Sequence, residues 1–375
     1  MKTLKDLPKL KNNRVIVRVD YNVPIKGTKI LDHKRIDVSF KTLNLILKKG
    51  GIPVLIAHLG EGKESLLPIA KYLLKKYKVV FITKDIYDND FISVLDKVPK
   101  GTLILIENIR RYKEEEINDK AFAKLLSSLG EFYVNDAFSV SHRKHASIVG
   151  IPRYLPSFAG EQLITEIKNL NSVFNNKKNP FVFILGGAKF GTKIPLLKRF
   201  NETADNVIIV GAILNNFYHL LNFEVGDSVV ETGFDKQIKP LLKSNKLLLP
   251  IDVIVLRGEK KIIVSPAEIQ KNDIISDIGP LSVNLIKDKI KKSKIIVWNG
   301  PSGWYEKGFV SGTIGIAKAI KEFNVKAIIG GGDTGVIIEK IFKDYNNKKV
   351  FISSGGGSTL DYLAKGKLPG IDALK

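Results

Sequence analysis

The 375 residues carry 60 Lys and Arg against 38 Asp and Glu, a formal charge of +22, with 44% hydrophobic and 26% charged residues. At roughly 150 residues per domain the length predicts two domains with ample core, and the composition excludes a single small module and a disordered basic tail. Having no cysteine, the chain has no disulfides, thiolate metal sites or cysteine nucleophiles, and its charge favours anions without choosing between nucleic acid, membrane and phosphorylated metabolites.

The opening MKTLKDLPKLKNN is broken too often by Lys and Asp to hold the apolar core of a signal peptide, and no apolar run approaches the ~20 residues of a spanning helix. A cytoplasmic protein without a membrane partner is expected. Short β-branched runs then alternate with amphipathic stretches: VIVRV at 15–19, PVLIA at 53–57, VVFIT at 79–83, TLILI at 102–106 and EFYVN at 131–135, with helices predicted at Asp37 to Lys49 and Ser65 to Lys76. This is the βαβ rhythm of a parallel sheet buried on both faces.

Polar groups gather where these strands end: Asp20 and Asn22, then Arg35 in the loop, His58, Glu107 and Arg110, and finally Asn135, Asp136, His142, Arg143 and His145. Ligands of this architecture bind at the carboxyl ends of strands, and converging Arg and His suit an anionic small molecule, because Arg grips carboxylate and phosphate with a planar fork. Taken singly, Arg110 and Arg111 before KEEE read equally as surface ion pairs, and His142 and His145 as packed side chains.

IPRYLPSF carries two prolines and reads as a connection, with Gly160 to Val173 an amphipathic helix between domains and the boundary near 155–175. The alternation restarts with FVFIL at 181–185, NVIIV at 206–210, KIIVW at 294–298, KAIIG at 326–330 and KVFIS at 349–353. The expected fold class is therefore α/β, with two doubly wound parallel-sheet (Rossmann-like) domains joined by a hinge helix: residues 1–158, the helix 159–175, and 176–359.

The strand at 181–185 runs into Gly186, Gly187, Ala188, Lys189, Phe190, Gly191, Thr192 and Lys193, with a helix predicted at IPLLKRF. Glycines let backbone amides approach phosphates, and a helix start adds partial positive charge. Lys189 and Lys193 share a face if the helix has begun. The spacing approaches a P-loop, but Thr-Lys stands where Lys-Ser/Thr is required. VWNGPSGWYE at 297–306 ends a strand at Trp298 and continues through a rigid loop to Glu306, either an acceptor for ribose hydroxyls or a solvated acid.

Gly330 to Gly335 (GGGDTG) contains the pattern Gly-x-Gly-x-x-Gly, which raises an NAD-dependent dehydrogenase as an alternative. That reading also needs an acid about twenty residues on, where Ser353 and Ser354 stand instead. Asp333 is either a helix cap or a hard oxygen ligand for Mg²⁺ on a nucleotide. A third loop, Ser353 to Gly357, offers further backbone donors. A basic nucleic-acid-binding protein is the other alternative, but no basic helix or aromatic platform supports it.

RVDYNVP, LIENIRRYKEEE, YVNDAFSVSHRKHAS, ILGGAKFGTK, VWNGPSGWYE, IIGGGDT and SSGGGSTLDYLAKGKLPGI together resemble phosphoglycerate kinases in order and spacing, from about residue 14 to the C-terminus. The resemblance implies a two-domain hinge enzyme that moves the acyl phosphate of 1,3-bisphosphoglycerate to MgADP, giving 3-phosphoglycerate and ATP in glycolysis and gluconeogenesis. It implies Asp20, Tyr21, Asn22, Arg35, His58, Leu59, Gly60, Arg110 and Arg143 around the glycerate, with Arg35 reaching the transferring phosphoryl. It implies Lys189 and Lys193 on phosphate oxygens, as catalytic residues with Arg35. For the nucleotide it implies Asn299, Pro301, Glu306, Gly331, Gly332, Asp333, Thr334, Gly355 and Gly356, with Asp333 toward Mg²⁺ and Glu306 toward the ribose.

The resemblance also implies that residues 360–375 pack back on the first domain. A monomer or small homo-oligomer is expected, with no nucleic-acid partner. Two departures stand out. Glu61 occupies a position where these kinases usually have a substrate-binding Arg, with Lys63 nearby, and VGAILNNF at 210–217 replaces a glycine triplet beside the base.

Overall fold

The computed structural model describes residues 1–174, 180–342 and 349–375, the side chains of Phe174, Asp333 and Lys340 lying outside the described set. The chain divides into two compact units, Met1–Lys168 with Lys365–Lys375, and Asn169–Ala364.

In the first unit the strands are β1 (Arg14–Arg18), β2 (Ile25–Lys26), β3 (Lys29–Ile30), β4 (Ile52–Ile56), β5 (Lys78–Ile82), β6 (Thr102–Ile106), β7 (Phe132–Asn135) and β8 (Ser157–Ala159). β2 and β3 form a small antiparallel pair, and the rest a six-stranded parallel sheet in the order β5-β6-β4-β1-β7-β8. The connecting helices are α1 (Lys34–Asp37), α2 (Phe40–Lys48), α3 (Leu67–Leu73), α4 (Phe91–Asp96), α5 (Lys113–Glu116) and α6 (Lys120–Ser127), after which α7 (Glu161–Phe174) leads out.

Every position of β4 and β6 is buried. A parallel strand covered on both faces needs apolar side chains in both directions, which is why these strands read as continuous Val, Ile and Leu runs. The exception is Arg18, fully buried at the end of β1. The proline-bearing connection holds one strand more than the sequence predicts: Ser157–Ala159 pairs with β7 at the sheet edge, and the Pro156 carbonyl accepts from Tyr133 N at 3.0 Å. Proline, lacking a donor, is tolerated at such an edge.

The second unit contains β9 (Phe181–Leu185), β10 (Asn206–Ile209), β11 (Leu247–Leu248), β12 (Val253–Arg257), β13 (Lys260–Val264), β14 (Asp273–Ile278), β15 (Ile295–Asn299), β16 (Lys326–Gly330) and β17 (Val350–Ile352). Its parallel sheet runs β11-β10-β9-β15-β16-β17, and β13-β12-β14 form a separate antiparallel sheet. Its helices are α8 (Phe190–Thr203), α9 (Ile213–Leu220), α10 (Asp235–Leu242), α11 (Pro280–Lys292), α12 (Ser311–Glu322), α13 (Gly332–Phe342) and α14 (Gly357–Lys365).

The antiparallel sheet was not among the predicted elements. Its signal is VIVLRGEKKIIV, two β-branched runs around a turn in which Gly258 takes φ +58°. The chain rejoins the first unit at Lys365 rather than near 360, and α15 (Pro369–Asp372) follows. There Gly370 N donates to Ser141 O at 2.8 Å and Asn135 Nδ2 to Gly370 O at 3.2 Å.

In each sheet the strand order reverses about the first strand, β1 between β4 and β7 and β9 between β10 and β15. Those switch points are where the carboxyl ends of parallel strands leave a crevice. Among the described residues no helix is long and apolar enough to cross a membrane.

Candidate active site

In the first unit the carboxyl ends of β1, β4 and β6 bring together Asp20, Asn22, His58, Gly60 and Arg110, with Arg35 arriving from α1 rather than from a loop. Arg35 Nη1 lies 3.1 Å from Asp20 Oδ2 and donates to Asn22 O at 3.2 Å, and Ser139 Oγ donates to Asp20 Oδ2 at 2.5 Å. Asn22 Oδ1 accepts from Gly60 N at 3.1 Å, so the first two loops are tied together.

Arg110 stands on the 3₁₀ turn Ile109–Arg111, started by Asn108, whose side chain accepts from Arg110 N. Its Nη1 donates to Gly60 O at 2.8 Å and its Nε lies 3.3 Å from Glu116 Oε1. Its Nη2 is buried without a hydrogen-bond partner. A buried guanidinium with a spare N–H is expensive unless an anion takes it. Burial, followed by Arg18, Arg110 and Arg143, drives the His58 imidazolium far below its ordinary range. Burial and the same arginines lower His145 to about 4. Both rings are therefore neutral at pH 7, among three guanidinium groups.

Several predicted residues turn elsewhere. The Tyr21 ring is fully buried in the core with its hydroxyl 3.0 Å from Ser39 Oγ, and the Leu59 side chain belongs to the same core. Only the backbone of either is available to a ligand. Glu107 accepts from Ser65 Oγ and Leu66 N and so holds the start of α3. Asn135 ties down the C-terminal segment, and Asp136 Oδ1 accepts from Gln162 N at 2.8 Å at the start of α7. These three leave the basin because each saturates backbone donors or acceptors at an element end.

In the second unit one cavity of about 650 Å³ opens at the carboxyl ends of β9, β10, β15 and β16. Its lining includes Lys189, Lys193, Asn299, Pro301, Glu306, Gly331, Gly332, Thr334 and Gly356. The helix predicted to begin at IPLLKRF begins at Phe190, because Glu231 accepts from Phe190 N at 2.6 Å and Gly191 N at 3.3 Å and so caps α8. Lys189 stands outside the first turn at φ +60°, while Lys193 lies inside it with Nζ donating to Gly186 O at 2.5 Å.

A Cβ on Gly211, at φ +67°, would lie 2.7 Å from Pro301 O, so glycine is needed where the loops after β10 and β15 meet. Val210 is fully buried in the core, leaving Gly211, Ala212 and Leu214 to line the cavity in place of a glycine triplet. Gly355 does not line it: its N–H faces Ser353 Oγ at 3.2 Å and its carbonyl accepts from Thr359. Trp298 is a core residue whose indole N–H donates to Gly300 O, whereas Trp304 and Glu306 stand at the rim.

Two buried polar atoms of this lining, Asn299 Nδ2 and Thr334 Oγ1, have no hydrogen-bond partner. They lie beside Gly331 at the start of α13, where backbone N–H groups and the helix dipole favour negative charge. That set fits the phosphate end of a nucleotide. Among the described residues no three His, Asp or Glu side chains gather to hold a metal ion. Mg²⁺ carried on phosphate oxygens needs only one or two carboxylates. Asp333, the residue the sequence offers for this, lies in α13 with its side chain outside the described residues.

The sequence reading gave no role to Arg18, Glu115, Ser147 or Glu231. An arginine inside a β-branched run was the available signal for the first.

The family model described as phosphoglycerate kinase matches residues 4–367. A phosphoglycerate kinase of Dictyoglomus turgidum is 38% identical over 395 residues, covering 100% of this chain and 99% of its own. A solved phosphoglycerate kinase from Coxiella burnetii superposes with a TM-score of 0.83 at 32% identity, covering 99% of this chain and 97% of its own. One from Pyrococcus horikoshii reaches 0.86 at 26% identity, covering 100% and 98%.

Proposed function

The chain belongs to the phosphoglycerate kinase family, and from that premise we propose how its two units divide the family's reaction, transfer of the acyl phosphate of 1,3-bisphosphoglycerate to ADP with release of 3-phosphoglycerate and ATP. The first unit holds the glycerate and the second the nucleotide. The observation that carries this reading is the match across residues 4–367, within which both anion-binding sets fall. The dehydrogenase and nucleic-acid alternatives are superseded by it.

Phosphoryl transfer depends on positioning and charge neutralisation more than on covalent chemistry. In the ATP-consuming direction the nucleophile is a substrate carboxylate already ionised at neutral pH, so no general base is required. Arg110, Arg143 and the neutral His58 orient the glycerate's anionic ends, with Asp20 and Asn22 fixing Arg35 beside them. Arg35 neutralises the phosphoryl group in transit. Lys189 and Lys193 hold nucleotide phosphate oxygens, Asn299 and Thr334 offer their spare polar atoms to the same group, and Glu306 accepts from ribose hydroxyls.

Mg²⁺, when bound with the nucleotide, neutralises phosphate charge. Transfer requires the two ligands to meet, so closure of the units is part of the proposal, as is a cytoplasmic place for the enzyme. Formation of ATP from 1,3-bisphosphoglycerate and MgADP, followed in a coupled assay, is the expected result. Absence of turnover by a folded protein that binds both ligands would overturn it.

A further inference from the structure

Behind the glycerate basin lies a buried polar chain that the mechanism above does not use. Glu115, 1% exposed on α5, accepts from Ser147 N at 2.8 Å and from Ser147 Oγ at 2.5 Å. The same Ser147 oxygen accepts from Arg18 Nε at 2.9 Å, and Arg18 Nη2 lies 3.1 Å from His58 Nδ1. Arg18 Nη1 is spent on Val19 O, and Tyr133 Oη donates to Ser147 O at 2.7 Å, which fixes the serine's backbone. Arg18 and Ser147 are both fully buried.

The direction of each bond follows from donor and acceptor chemistry. A guanidinium has no acceptor, so His58 Nδ1 must receive the Arg18 hydrogen bond and carry no proton. The neutral ring then holds its hydrogen on Nε2. Ser147 has one hydrogen, which goes to the carboxylate, and its lone pair is free for Arg18. Glu115 supplies the negative charge that a fully buried Arg18 requires, and it is the largest favourable charge acting on Arg18. His145 Nδ1 lies 3.7 Å from Glu115 Oε1, too far for a direct hydrogen bond, so the relay runs to His58.

We propose that Glu115 is a positioning residue for the glycerate ligand: through the Ser147 hydroxyl and the Arg18 guanidinium it locks His58 as an Nε2–H donor facing the basin. The ligand clause rests on the assignment of the basin to the glycerate, whereas the tautomer clause does not. The opposite tautomer would present a lone pair to an anion and turn an attractive contact into a repulsive one. Fixing the tautomer before binding spares the ligand that reorganisation.

The test is ¹⁵N NMR of the histidine rings in the unliganded full-length protein, with Glu115→Gln and Ser147→Ala beside the parent. The expected result is a single Nε2–H tautomer for His58 in the parent and a tautomer mixture in both variants. The Michaelis constant for 3-phosphoglycerate rises about tenfold, as for one charge-assisted hydrogen bond, while the nucleotide constant and kcat at saturation stay within about twofold. Retention of the single tautomer in Ser147→Ala overturns the relay, and that variant decides alone if Glu115→Gln does not fold. Equal rises in both Michaelis constants overturn the positioning role. A tautomer change with no 3-phosphoglycerate binding even by the parent upholds the relay and rejects the basin assignment.

Discussion

Arg35 illustrates what a single side chain contributes. Its 3.1 Å contact with Asp20 and its bond to the Asn22 carbonyl hold a cation at the edge of the basin, so Arg35→Ala is expected to lower kcat by about 10²- to 10³-fold, as for loss of one transition-state donor. Nucleotide affinity, measured by calorimetric titration, should persist, and near-normal turnover would remove Arg35 from the catalytic set. Glu61 is exposed, and its charge acts on Arg110. A carboxylate there opposes an incoming anion, so Glu61→Gln should lower the Michaelis constant for 3-phosphoglycerate by roughly two- to fivefold in steady-state assays. Residues shortly after strands, such as Asp20, His58 and Arg110, were legible as members of the basin because strand ends meet at the crevice. Glu115 and Ser147 were not, since their partner Arg18 is brought to them by packing alone.

At the scale of an element, α8 shows how a helix start is decided from elsewhere. Glu231, 41 residues beyond Phe190, satisfies two of the otherwise orphaned N–H groups of its first turn. Glu231→Ala should cost about 1–2 kcal/mol in urea unfolding and weaken nucleotide binding, because Lys189 and Lys193 take their places from that turn. Unchanged nucleotide affinity would separate the cap from the site. Apart from the edge strands Ser157–Ala159 and Leu247–Leu248, the strands of both parallel sheets were readable as β-branched runs. The edge strand Ser157–Ala159 was not, since three residues after a proline form a strand only because β7 offers them a partner.

For the whole molecule, buried histidines contribute to the loss of stability in acid. An unfolded chain protonates His145 near 6.5 and the folded one only near 4. Between these values the unfolded state binds more protons, so stability falls as pH falls, and His58 acts in the same direction. Asp136, raised to about 6 by burial, opposes them, because the folded state takes up its proton first. In calorimetry His145→Gln should therefore lose less Tm than the parent between pH 6.5 and about 4.5. The +22 charge exceeds what the site residues supply, but it should still attract anionic substrates. The Michaelis constant for 3-phosphoglycerate is expected to rise as salt shortens the Debye length from about 10 Å at 0.1 M toward 3 Å at 1 M, and a flat salt profile would confine the effect to direct contacts.

By itself the sequence determined the α/β class, the restart of the pattern near residue 180 and the glycine loops after strands, because these are local consequences of burial period and backbone freedom. Tertiary structure alone decided which polar residues stay in the basin and which tie down the fold. Asp136 and Asn135 close element ends, Tyr21 enters the core, and Glu115 reaches His58 through Ser147 and Arg18. The physical reason is that a buried polar group takes whichever partner the packed chain brings within about 3 Å, and sequence separation does not reveal that distance.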